Sequence, residues 1–195
     1  MTDAAVEVLE EADRQRGIAS LTLAFATDPV MRWGWPDPVR YFTFWPKIAD
    51  AFGGGAFEHG TAYGLEGCLA VALWLPPGGE PDGETVMGVM RESMDDQTYE
   101  DINSCFEQMD EHHPTTDHWY LPLTGVDPSA QGRRLGSNLL KHVLSICDDQ
   151  GLPAYLEATG PRNRNLYAHH GFNDVAVIQA GSSPPIWAML REPSL

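Results

Sequence analysis

The stretch Gly125-Val126-Asp127-Pro128-Ser129-Ala130-Gln131-Gly132-Arg133-Arg134-Leu135-Gly136-Ser137-Asn138-Leu139-Leu140 decides how this chain folds. An apolar run from Trp119 to Val126 breaks at Asp127-Pro128, crosses a loop of glycine and arginine, and enters an amphipathic segment. That order reads as strand, loop and helix start. The first amides of a helix lack intrahelical partners and the dipole favours negative charge there, so a phosphate can be held. Gly132 and Gly136 put no Cβ in a ligand's way, and Arg133 and Arg134 add fixed positive charge. With 12 basic residues against 28 acidic ones, two adjacent arginines beside two glycines stand out from their background. The stretch reads as a pyrophosphate cradle. The plainer alternative is an ordinary strand-to-helix turn with surface arginines.

Two commoner phosphate motifs are excluded. No Lys-Ser or Lys-Thr pair follows the glycines, as a P-loop requires. Gln131 to Gly136 does not give G-x-G-x-x-G, and no acidic residue stands where a ribose would need it.

Composition narrows the class. The 195 residues, 43% hydrophobic and 21% charged, suit one domain spanning 1–195 with a substantial core. A net charge of −16 argues against nucleic acid or an anionic membrane as partner and is compatible with a cationic amine substrate. Cys68, Cys105 and Cys147 are odd in number and far apart, so neither a disulfide framework nor a zinc site is indicated. There is no basic leader before an apolar core, and no apolar run approaches the ~18 residues of a membrane span. A cytoplasmic protein, monomer or homodimer, is the expectation.

The remaining segments fit an α+β chain. Val6–Leu9 reads as a short strand, and Asp13–Ala26 as a helix stopped by Asp28-Pro29. An aromatic patch follows, with Trp33, Trp35, Tyr41, Phe42, Phe44 and Trp45. Within it Pro38 suits the first turn of a second helix ending near Gly53-Gly54-Gly55. Thr61–Glu66 and Cys68–Leu75 read as a hairpin, and Glu84–Met94 and Tyr99–Met109 as helices. In the second half, Trp119–Val126 is a strand and Leu135–Gln150 a helix with Leu139, Leu140, Val143, Leu144 and Cys147 on one face. Then come strand Ala154–Ala158, a short helix Arg164–His170, and strands Phe172–Gln179 and Pro185–Leu190. This order gives a sheet of mixed strand directions with one crossover helix at the phosphate loop.

The loop Gln131-Gly132-Arg133-Arg134-Leu135-Gly136-Ser137 resembles the Q/R-x-x-G-x-G/A signature of the GNAT superfamily of acetyl-CoA-dependent N-acetyltransferases. The run Tyr155 to Asn163, with Leu166-Tyr167 and Gly171-Phe172 after it, is similar to that family's second half. Within the family the order of pieces most resembles puromycin N-acetyltransferase and its relatives. The matching pieces are Ala24-Phe25-Ala26, Ala70 to Trp74, Tyr120 to Pro128, and Pro161 to Tyr167. The strong match covers Trp119 to about Val177, the weaker one most of the rest. One departure is that Arg134 stands at the signature's first glycine. A helical backbone there would tolerate any side chain and keep its amide aimed at the phosphate.

The resemblance implies a three-layer α/β/α fold around a mixed, mainly antiparallel sheet, with acetyl-CoA as acetyl donor and no metal. It implies that Leu123, Thr124, Gly125 and Val126 pair with the pantetheine arm, one N–H polarising the acetyl carbonyl. Amides from Arg133 to Ser137, within the loop beginning at Gln131, would hold the pyrophosphate, and Asn163 and Arg162 would contact the coenzyme. Asn163 is equally readable as an N-cap. Tyr167 matches the family tyrosine that protonates the departing thiolate, though a packing tyrosine looks the same in sequence. Glu157, at a strand end beside the thioester, is the candidate base; a buried glutamate paired with arginine is the alternative, and His113 and His118 are further candidates. Trp33, Trp35, Phe42 and Trp45 are expected to wall the acceptor pocket, or else to be core. The implied activity is transfer of acetyl from acetyl-CoA to the primary amine of a small molecule in a ternary complex. Two rivals remain: a non-catalytic acyl-CoA-binding regulatory module, and acetylation of protein lysines or N-termini.

Overall fold

The structure, a computed structural model, describes residues 5–194. Seven strands form one sheet: β1 (Glu7–Val8), β2 (Ala62–Leu65), β3 (Ala70–Leu75), β4 (Trp119–Val126), β5 (Ala154–Ala158), β6 (Asn173–Ile178) and β7 (Ile186–Arg191). They lie in the order β1-β2-β3-β4-β5-β7-β6, and every adjacent pair is antiparallel except β4 and β5. The helices are α1 (Arg14–Ala24), α2 (Pro29–Gly34), α3 (Pro38–Gly53), α4 (Gly55–His59), α5 (Gly83–Ser93), α6 (Asp96–His112), α7 (Leu135–Gln150) and α8 (Pro161–His169). This is the mixed α/β/α arrangement that the resemblance implies. Among the described residues no helix is long and apolar enough to cross a membrane.

Period-two alternation along β3 builds the two sides of the sheet. Val71, Leu73 and Leu75 enter a core with Leu21, Tyr41, Trp45 and Ile48 of α1 and α3, while Ala70, Ala72 and Trp74 enter a second core with Leu139, Leu140 and Val143 of α7. The α7 face named from sequence, with Leu144 and Cys147, is buried throughout. Arg191 fastens this outer layer. Its guanidinium grips both carboxylate oxygens of Asp148 at 2.8 Å and donates through Nε to the His170 carbonyl at 3.1 Å, joining β7, α7 and the end of α8. On the other face α1 lies directly on β4. A Cβ on Gly125 would stand 2.6 Å from the Ala24 Cβ, so glycine there permits the approach.

Several helix boundaries differ from the sequence expectation; α6, for one, runs Asp96–His112 rather than Tyr99–Met109. Asp28-Pro29 ends α1 but also starts α2: the Asp28 carboxylate accepts from the Val30 and Met31 amides, and Pro29 occupies the first turn. Glycines 53–55 do not end the helical region, because Gly54 keeps a right-handed helical backbone and α4 continues to His59, capped by left-handed Gly60. In α8 the helix begins at Pro161 rather than Arg164, the proline again serving as a first-turn residue.

The feature that positions the site is a divergence. Parallel β4 and β5 pair only at Trp119↔Ala154 and Tyr120↔Tyr155 and then separate. Opposite β3, Leu121 and Pro122 of β4 face Trp74 alone, a bulge that changes the direction of the strand's later peptide groups.

Candidate active site

The gap left between β4 and β5 opens into a cleft of about 790 Å³, floored by β4 and bounded by the 131–137 loop and the start of α8. Asp127 N–H donates to the Leu69 carbonyl at 2.8 Å, so Asp127 faces β3. Strand alternation therefore turns the peptide groups of Val126 and Thr124 the other way, toward the cleft. Leu135, Gly136 and Ser137 line the cleft at the first turn of α7, and the first intrahelical bond is donated by Asn138 to the Arg134 carbonyl at 3.0 Å. The amides ahead of that bond have no acceptor within the helix and are free for an anion.

Arg134 corrects the sequence expectation. Its φ of +63° and ψ of +14° are left-handed, not helical, and it is the residue that turns the chain into α7. Glycine takes that conformation without cost, whereas a side chain costs roughly 1–2 kcal/mol. The strain is retained here with the Arg134 side chain on the cleft. Gly132, at φ +79°, has nothing within 4 Å of where a Cβ would stand, which leaves the loop open to a ligand. Arg133 does not face the cleft. Its guanidinium donates to both oxygens of Glu66, at 2.7 and 2.8 Å, on the β2–β3 turn. Lys141, Arg162 and His170 line the cleft instead, and His170 Nε2 lies 2.7 Å from Ser137 Oγ.

A second, smaller cavity of about 80 Å³ lies behind the first, between the sheet and helices α2, α3, α5 and α6. Phe25, Thr124, Asn163 and Tyr167 line both spaces, so the cavities meet at these four residues. Glu157 belongs to the inner one. Its Oε2 accepts from the Tyr120 hydroxyl at 2.8 Å, while Oε1 is out of solvent with no partner among the described residues. Burial pushes its pKa up to about 7, against the opposing pull of the Tyr120 and Tyr155 hydroxyls. The Tyr155 hydroxyl is also buried and meets no hydrogen-bond geometry, although its ionisation is opposed by Glu157 as well as by burial. Tyr167 is held neutral, its pKa raised by burial and then by the charge of Asp28. Asp28 is itself raised by burial despite the Thr159 hydroxyl and two amides that it accepts from.

Behind Glu157 sits an aromatic and imidazole stack. The His113 ring meets Tyr120 at 4.9 Å and Tyr155 at 4.8 Å between centroids, and His113 Nε2 lies 3.0 Å from His118 Nε2. Burial lowers the His113 pKa, with His118 adding to the effect. Neither histidine lines either cavity; Glu157 does.

The structure thus brings together Thr124, Gly125, Val126, Gln131, Gly132, Arg134, Leu135, Gly136, Ser137 and Asn163 on the outer cleft, with Leu123 and Glu157 inside and Tyr167 between. Of the four aromatic residues expected around the acceptor, only Trp45 is on the cavity wall. Trp35 is 1% exposed and its indole donates to Ser93 Oγ at 3.0 Å, Trp33 donates to Ser182 Oγ at 3.1 Å, and Phe42 is 50% exposed. Helix periodicity is the reason: Tyr41, Trp45 and Ile48 share the buried stripe of α3, and Phe42 sits a quarter-turn away. Tyr120, Asp28, Thr159 and the methionine-rich wall of α5 and α6 were not singled out from sequence, where they read as ordinary core or cap positions.

A splayed parallel strand pair, an open helix start and a buried tyrosine at their junction are the elements of this site. Residues 54–172 match the acetyltransferase (GNAT) family, and the chain belongs to it. It is 37% identical over 81 residues to an uncharacterised N-acetyltransferase of Schizosaccharomyces pombe, covering 40% of this chain and 33% of that protein. Against a mycothiol acetyltransferase of Beutenbergia cavernae it is 45% identical over 58 residues, 28% of this chain and 20% of the relative. The chain thus spans a third or less of the length of these curated relatives. Among solved structures, a histone acetyltransferase HPA2-related acetyltransferase from Corynebacterium glutamicum superposes with TM-score 0.66 at 24% identity, covering 98% and 97% of the two chains. Arylalkylamine N-acetyltransferase 2 of Aedes aegypti superposes at 0.68 with 12% identity, covering 99% and 100%. At those identities the likeness is one of fold.

Proposed function

We propose that this chain, acting as one domain, transfers the acetyl group of acetyl-CoA to the primary amine of a small molecule by direct attack within a ternary complex. The observation that carries this reading is the meeting of two cavities of opposite character at Tyr167, with Glu157 on the inner side. The outer cleft fits a coenzyme A moiety: amides of the first α7 turn suit a pyrophosphate, and the β4 edge suits an extended amide-bearing arm. Bound there, acetyl-CoA supplies the activated thioester.

This chain's residues then do four things. The Thr124 N–H, turned to the cleft by the β4 bulge, donates to the acetyl carbonyl oxygen as charge builds on it. The apolar inner cavity disfavours an ammonium ion, so it lowers the amine's own pKa. Glu157, titrating at about 7, accepts the proton the amine loses. Tyr167 donates to the departing sulfur. Because burial and the Asp28 charge disfavour its anion, the hydroxyl stands protonated as a donor, and the proton it gives the sulfur is returned from solvent. The new carbon–nitrogen bond replaces the carbon–sulfur bond, and the sulfur leaves as a thiol. An excess of 28 acidic over 12 basic residues draws cationic amines toward the surface.

The neighbours of known fold include arylalkylamine and agmatine N-acetyltransferases, and both names are compatible with an amine acceptor. The test is calorimetric titration with acetyl-CoA, followed by thiol release across a panel of amines. Binding together with amine-dependent release is the expected result. Binding without release for any amine or peptide would leave an acyl-CoA-binding module in its place.

A further inference from the structure

The inner cavity also specifies the kind of amine. Twenty residues line it, and among them Glu157 alone carries a formal charge; no Lys, Arg, His or Asp joins it. Thr124, Asn163 and Tyr167 sit at the mouth shared with the outer cleft. The deeper wall is built from side chains such as Met31, Ile48, Phe52, Met90, Phe106 and Met109. Its one orphan polar atom besides the Glu157 Oε1 is the Trp45 indole nitrogen, on a residue 2% exposed. That atom is a donor only.

Resting on the acetyl-transfer reading above, we propose that the acceptor is a compact primary monoamine with an apolar arm, and that a second charge on the arm is rejected. The free Glu157 oxygen receives the reacting nitrogen and is then used up. A second ammonium on the arm would enter an apolar wall and meet the Trp45 N–H, which repels a cation, with no second carboxylate among the lining residues to receive it. A carboxylate on the arm would face Glu157 without any lysine or arginine to offset it. Size points the same way. At about 80 Å³ the cavity is roughly half the ~150 Å³ that accommodates benzene, so alkyl arms enter first and a ring must displace methionine side chains.

The discriminating pair is 1-pentylamine and 1,4-diaminobutane, equal in length and differing only in a methyl against an ammonium. With acetyl-CoA as donor, kcat/KM for pentylamine should exceed that for the diamine by on the order of 10-fold or more. Met109→Glu, which places a carboxylate on the half-buried part of the wall, should narrow that ratio while its melting curve confirms a folded protein. Equal or faster turnover of the diamine by the natural chain would overturn the assignment and leave the acetyltransferase reading standing. An unchanged ratio in a folded Met109→Glu protein would likewise remove the discrimination from this cavity. Thiol release with neither amine nor any other member of the panel, despite acetyl-CoA binding, would overturn both readings at once.

Discussion

The two cavities share four residues and are otherwise built by opposite means. The outer cleft is about 790 Å³ and is organised by consecutive stretches of chain: the β4 edge, a glycine–arginine loop, the first turn of α7 and the start of α8. The inner cavity is about 80 Å³ and is lined by residues drawn from five helices and three strands. A backbone site needs consecutive residues with particular torsions, so it leaves a contiguous motif in the sequence. A side-chain site needs only a set of shapes that converge in space, and its apolar members are indistinguishable in sequence from core.

The contrast can be broken most forcefully on the outer side. Gly136→Pro is expected to abolish acetyl-CoA binding by calorimetry, because it deletes one first-turn amide and adds bulk to the cleft. Proline is tolerated in a helix's first turn, so the melting temperature should change little. Unchanged affinity in that folded protein would remove the cradle.

At the junction, Tyr167→Phe should lower turnover on the order of 10²-fold with acetyl-CoA affinity nearly intact. On the inner side, Glu157→Gln should lower turnover by a comparable factor and erase the rise of kcat/KM through about pH 7 that is expected of the natural chain. A profile that keeps this limb would move the base to His113, His118 or water. The same substitution should raise stability. Glu157 holds its proton to about pH 7 when folded and only to about 4.5 when unfolded, so the folded state loses stability as pH rises between those values. Above pH 7 the loss reaches up to about 3 kcal/mol. Chemical denaturation at pH 8 should therefore find Glu157→Gln more stable than the natural chain, and at pH 4 about equal to it.

Smaller effects separate the two arginines. Arg134→Gly relieves a left-handed side chain and should raise the melting temperature by about 2–4 °C, while weakening acetyl-CoA binding in a salt-dependent way. Arg133→Ala should do less to either, since its guanidinium is spent on Glu66 in a half-exposed pair worth at most about 1 kcal/mol. Equal losses of affinity for both would mean that Arg133 swings into the cleft.

What the sequence made legible follows the same division. β4, α7 and β5 fall on the residues read from the sequence because each is bounded by strong punctuation: Asp127-Pro128, the Arg134-Leu135 entry and Gly151. The mixed sheet with one parallel pair follows from the single crossover between β4 and β5. By contrast α2 was hidden because Asp28-Pro29 is both a stop and a start, and a sequence shows only one of those at a time. Torsion is equally silent: the pattern places Arg134 at a signature glycine without revealing that its backbone is left-handed. Aromatic density did not separate the roles of these residues: Trp45 reaches the cavity, Trp35 is core, Trp33 is partly buried and Phe42 is exposed. Glu157 and Tyr167 were legible as positions next to the family motif; the Tyr120 hydrogen bond and the orphan oxygen that distinguish Glu157 were not.

The central claim is that the hydroxyl of Tyr167, at the meeting of the two cavities, stabilises the departing sulfur. It is tested most directly by comparing the natural chain with Tyr167→Phe across acetyl thioesters whose thiols differ in acidity, in single-turnover experiments that isolate chemistry. A more acidic thiol needs less help, so the rate ratio between the two proteins should shrink steadily as thiol pKa falls, with melting temperatures alike. A ratio independent of the leaving thiol, or a loss of activity that simply tracks a loss of stability, would make Tyr167 a packing residue and contradict the account.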